Sequence, residues 1–163
     1  MSRMIATALL LAALVWASVP ALAVVQNPRG YTLHFAASPS GFSPADATTY
    51  YLGGLFAMTP LTSANVQSLP IPRNGTVRRI DLLLRNLGTA GTAETSTVSF
   101  RLNDTSDTTI TSSFVTNVGA TYSATVAIPV VAGNTFEIKW VTPTWVTNPT
   151  SLALYGTVLI DVP

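Results

Sequence analysis

Few residues in this 163-residue chain have side chains that could act on a substrate, and their spacing limits what each could do. His34 is the only histidine and cysteine is absent. A multi-histidine metal site, a thiolate site, a thiol nucleophile and a disulfide framework are therefore excluded. A serine relay built on one histidine would need a strained nucleophile turn. His34 instead lies in the strand-like run YTLHFA, and there is no Gly-x-Ser-x-Gly elbow, so it reads as a strand histidine, partly buried or on the surface. Asp81, Glu94 and Glu137 are the right type for paired-carboxylate glycoside hydrolysis. Asp81 and Glu137 alternate with Arg79, Arg85 and Lys139, however, and cross-strand ion pairing is the ordinary reason for that pattern. Asn103 to Asp107 (NDTSD) gathers oxygen ligands that calcium accepts, but the spacing is not that of an EF-hand and no glycine marks the turn. Asn and Asp favour hairpin turns without any metal. No catalytic residue, metal or cofactor is expected.

What remains is recognition. Trp145 follows a strand in a proline-containing segment where Trp-Val-Thr-Pro is nearly repeated as Trp-Val-Thr-Asn-Pro. With Tyr50 and Tyr51 from a separate segment it could stack on sugar rings, because flat aromatic faces bury apolar CH groups. The competing reading makes Trp140 and the tyrosines core, with Trp145 capping the end of the fold or packing against a neighbouring subunit. Trp145, Tyr50 and Tyr51 are therefore the expected binding or subunit-interface residues. Asn74-Gly75-Thr76 and Asn103-Asp104-Thr105 fit the glycosylation acceptor pattern and mark surface turns.

The elements that must position these residues are strands. In the stretch 128–149, Phe136, Ile138 and Trp140 alternate with Glu137 and Lys139, the period of a strand with one buried and one wet face. In 76–86, Ile80, Leu82 and Leu84 alternate with Arg79, Asp81, Leu83 and Arg85. In 97–102, Val98, Phe100 and Leu102 point inward, with Ser99 and Arg101 outward. Further strands are expected over 31–36, 49–52, 55–58, 108–115, 121–128 and 152–162, with a loop over 38–47. Over 56–66 a helix competes with a strand. Leu69-Pro70-Ile71-Pro72 cannot lie within a central ladder, since proline lacks the N–H, so it marks an edge or a bend. Turn chemistry separates the later segments. About eight strands with regular turns predict an all-β, antiparallel β-sandwich of jelly-roll type.

Met1 to Ala23 reads as a secretory leader: Arg3 precedes an apolar run that ends at Pro20, and Ala21-Leu22-Ala23 supplies the small-x-small cleavage pattern. The apolar run is too short to span a bilayer, so no membrane span is expected after leader removal. Residues 24–163 then form a single domain. Charged residues are only 9% of the chain, and once Arg3 is set aside the remaining basic residues balance the seven acidic ones. A balance of that kind leaves no basic footprint for nucleic acid.

The segments 42–46 (FSPAD), 48–53 (TTYYLG), 71–76 (IPRNGT), 88–94 (GTAGTAE), 101–105 (RLNDT), 132–140 and 145–149 together resemble a group of uncharacterised bacteriophage and prophage-associated domains. These are usually regarded as tail-fibre-like or virion-surface β-sandwiches. The resemblance covers roughly residues 42–161 and brings no functional residues with it. It implies a jelly-roll-like domain that often trimerises and serves as a structural, decoration or receptor-contacting part. The leader departs from that setting, because virion proteins assemble in the cytoplasm. The sequence therefore predicts an exported, secreted or cell-surface, non-enzymatic structural subunit that self-associates as a homotrimer or polymer, with a virion location as the alternative. A module binding a cell-surface glycan or receptor through the aromatic loop is the second reading.

Overall fold

The computed structural model describes residues 29–53, 62–63, 68–115 and 118–163. The leader expected over 1–23, the strand expected over 55–58 and most of the stretch 56–66 lie outside these residues. The described chain forms nine strands: β1 (Gly30–Phe42), β2 (Thr49–Leu52), β3 (Leu69–Pro70), β4 (Gly75–Asn86), β5 (Thr95–Leu102), β6 (Ser106–Val115), β7 (Ala120–Val130), β8 (Thr135–Val141) and β9 (Leu152–Asp161). One sheet has the order β1-β9-β4-β7 and the other β2-β8-β5-β6, with β3 following β2 along the edge of β8. Every pairing is antiparallel. The pairs β1 with β9, β2 with β8, β4 with β7 and β5 with β6 are rungs of one long folded ribbon. Wrapping that ribbon into two facing sheets is what makes this a jelly roll.

The expected alternation fills the space between the sheets. Val77, Ile80, Leu82 and Leu84 of β4 meet Leu152, Leu154, Val158 and Ile160 of β9, and the other sheet contributes Val98, Phe100, Phe136, Ile138 and Trp140. A register shift between Val77 and Arg79 lets both Val77 and Ile80 face inward although they are three residues apart; a bulge of this kind leaves Arg78 and Arg79 together at the surface. Phe100 stacks on Phe136 at 5.2 Å between ring centroids. Phe42 meets Tyr50 and Trp140 edge-on at 5.4 and 5.8 Å.

Three expectations are corrected. The first strand does not stop at Ala36: β1 runs to Phe42, crossing an irregularity after Ala37 and re-pairing Phe42 with Leu152. Its reward is the Phe42 ring, which closes the aromatic cluster around Trp140, so the loop begins only at Ser43. Ser99 does face outward with Arg101, beside Lys139, but it is buried there rather than wet. Glu137 is also fully buried, although it alternates with the core residues of β8, and the Arg101 guanidinium lies 3.3 Å from its carboxylate.

Candidate functional site

Three places bring polar chemistry together. The first is one end of the sandwich, where the β1–β2, β4–β5 and β8–β9 connections meet. Thr142 Oγ1 accepts the Thr48 N–H at 2.8 Å and donates towards the Ala45 carbonyl at 2.8 Å. The Tyr50 hydroxyl accepts the Ala45 N–H, and Asp46 accepts the Trp145 N–H at 3.1 Å. Thr92 Oγ1 accepts the N–H groups of both Val146 and Thr147 at 3.1 Å. Thr92 also holds the Glu94 carboxyl below the usual glutamate range. These bonds lock three loops into one tip.

The expected recognition residues are placed apart. Trp145 is 4% exposed, its ring turned under the tip, while its neighbour Val146 is 86% exposed. Tyr50 lies in the core against Phe42 and Trp140. Tyr51, one residue on, emerges from the opposite face of β2, where the Arg101 guanidinium sits 5.5 Å from its ring centre. Tyr50 and Trp145 share the β1–β2 connection as a support. Tyr51 belongs to a different surface.

That surface, the outer face of the second sheet, is the second place. Arg101 donates to Asp107 at 2.7 Å and to the Asp104 carbonyl, and its Nε lies 3.3 Å from Glu137. Lys139 reaches Asp107 at 2.5 Å. Burial alone would raise the Asp107 carboxyl, but the bonds from Lys139 and Arg101 outweigh it and hold the group below the usual aspartate range. Cross-strand ion pairing is thus the role of Glu137 and Lys139, with Arg101 and Asp107 as partners. The acidic turn is a tight hairpin, in which Asn103 and Asp104 take left-handed φ values of 49° and 59°. Among the described residues no group of three or more His, Cys, Asp or Glu could hold a metal ion.

The third place is the outer face of the first sheet. There the register sets His34 beside Thr157, Thr157 beside Asp81 and Asp81 beside Ser123, one residue from each of four neighbouring strands. Ser123 donates to Asp81 Oδ1 at 2.6 Å, Arg79 Nε donates to the same oxygen at 2.8 Å, and Thr157 Oγ1 lies 3.4 Å from Oδ2. The Ser123 hydroxyl, more than Arg79, holds the Asp81 carboxyl below its usual range. A concavity of about 780 Å³ opens over this row, with Tyr155 and Leu83 also on its wall. His34 and Ser123 are three strand spacings apart, roughly 14 Å, so no Ser-His-Asp relay forms here. The sequence shows each of these residues as an outward strand position, but only the register makes them a row.

No family model and no curated protein matches the sequence. Solved structures with a similar course of the chain include the PRD1 vertex protein P5, at 13% identity and TM-score 0.47 over 84% of this chain and 99% of that one. The infectious bursal disease virus Gx strain structure aligns at 12% identity and TM-score 0.49, over 82% of this chain and 32% of that one. Eiger TNF from S. frugiperda aligns at 11% identity and TM-score 0.44, over 84% of this chain and 94% of that one. The resemblance is remote, is one of fold, and does not reach to a particular tail-fibre family. No helix among the described residues is long and apolar enough to cross a membrane.

Proposed function

We propose that this chain is an exported, non-enzymatic structural module that assembles with copies of itself into a surface, filament, fibre-like or virion-type subunit. The observation that carries the reading is the tip: Val146, 86% exposed, and Leu87, 47% exposed, are apolar side chains on hydrogen-bonded backbone. A rigid apolar projection loses little entropy when another surface covers it. The low charge of the chain supports the same reading, since few ions must be desolvated at a contact. Trp145 and Tyr50 then serve the interface from beneath by fixing the tip, and Tyr51 serves a separate face.

The test is the mass of the protein beginning at Val24, followed by light scattering over a wide concentration range. A trimer or an open polymer supports the reading, and a monomer persisting at the highest concentration rejects it. Export is tested separately by sequencing the N-terminus of protein recovered outside the cytoplasm, where Val24 is the expected first residue.

A further inference from the structure

The tip does not account for the row across the first sheet. We infer that the concavity over His34, Thr157, Asp81 and Ser123 is a binding site for a neutral, polyhydroxylated ligand, a short oligosaccharide laid across the strands. This goes beyond the self-assembly reading and does not depend on it.

The shape comes from the sheet. Four polar side chains from β1, β9, β4 and β7 stand in register, so the row extends roughly 14 Å at the usual strand spacing. That length suits an extended ligand lying perpendicular to the strands. Two residues along β9 from Thr157, on the same face, Tyr155 pairs with Ala36 on one side and Leu83 on the other. Ala36, Tyr155 and Leu83 make this second row mainly apolar, ending at Thr121 on β7, where the first is polar throughout. A sugar ring needs that combination, with hydroxyls directed to one side and CH groups laid on an aromatic or aliphatic surface.

The electrostatics select a neutral ligand. Arg79 and Asp81 offset each other at 2.8 Å, so the wall offers no net charge to an anion or a cation. Asp81 stays ionised, and a carboxylate can accept about four hydrogen bonds. Oδ1 takes two short ones from Arg79 and Ser123, and among the described residues Oδ2 has only the 3.4 Å contact from Thr157, so Oδ2 has acceptor capacity left for a ligand hydroxyl. The Arg79 and Ser123 bonds also fix the carboxylate in place before any ligand arrives, which removes part of the ordering cost of binding. A peptide added as an extra strand fits poorly here, because β9 and β4 are central strands whose backbone groups are already paired.

The experiment uses the protein beginning at Val24, isotopically labelled, titrated with neutral linear oligosaccharides of glucose, mannose and N-acetylglucosamine in α and β linkage. The expected result is that at least one series shifts the amide signals of residues near 34, 81, 123 and 155–157, leaving those near 144–147 in place. Asp81→Asn and Tyr155→Ala are each expected to weaken that binding about tenfold or more, the scale of one good contact. His34→Ala, at an exposed position, serves if either variant fails to fold, and is expected to weaken the longer ligands more than the shorter ones. Silence of every series at millimolar concentration overturns the inference. So does binding that survives both substitutions, shifts confined to the tip, or a self-associated state in which a second copy covers Tyr155.

Discussion

Replacing Gly156 by alanine tests how tightly β9 is seated. A Cβ at this position would fall on the Phe35 ring, 2.5 Å from Cε1, and 2.6 Å from the carbonyl oxygen of Asp81 on the adjacent strand. Carbon atoms rest about 3.5–4.0 Å apart, so the ring would have to retreat by roughly 1 Å or more. Phe35 is 3% exposed and packed into the core, and Asp81 oxygen is backbone in the middle of a ladder, so neither can yield freely. Overpacking of this kind costs about 1–3 kcal/mol, and the backbone contact places Gly156→Ala at the upper end. For a domain of this size that lowers the melting temperature by about 5–10 °C. Phe35→Leu removes the ring edge at its own cost of about 1–2 kcal/mol. The double variant should therefore be more stable than the sum of the two singles by about 1 kcal/mol, with the Asp81 contact left unrelieved. Urea denaturation of the four proteins measures this directly. A Gly156→Ala protein within about 0.5 kcal/mol of the parent, or strict additivity with Phe35→Leu, would refute the reasoning.

Thr142→Val keeps the shape of a side chain that is 3% exposed while stranding the Thr48 N–H. It should lower stability by about 1–3 kcal/mol, read as a shifted urea midpoint at unchanged slope. Val146→Asp should weaken self-association about tenfold or more in sedimentation equilibrium without moving the melting temperature, because the side chain touches solvent in the single chain. Asp107, held below its ordinary value of 3.8, contributes stability that is complete above that pH and is lost as the pH falls through its lower folded value. Asp107→Asn should flatten the acid limb of a plot of melting temperature against pH.

The sandwich was legible because one face of each long strand is continuous with the core. Ile80, Leu82 and Leu84 announce β4, and Phe136, Ile138 and Trp140 announce β8, without reference to the rest of the chain. The two prolines at 70 and 72 were equally informative: β3 is a two-residue edge strand, as a missing N–H requires. Burial of Glu137 was not legible, since alternation reports which residues share a face and cannot report what covers the second face. The extension of β1 through a serine-, proline- and glycine-containing run was hidden for a related reason. Local turn chemistry reads as a loop until the distant partner Leu152 is known to pair with Phe42. Trp145 was found as a special residue, but which way its ring turns depends on Asp46 and Thr92, far away in sequence. The row of His34, Thr157, Asp81 and Ser123 exists only through register, which is set by four strands together.

The position of β9 between β1 and β4 also dictates when the fold can exist. Of the four strands in the first sheet, the one that joins β1 to the β4–β7 pair is the last to be synthesised, so β1 has no neighbour in its own sheet until residues 152–161 have emerged. Completion of this sheet would be postponed by topology itself, and the arrival of residues 152–161 would act as the closing event.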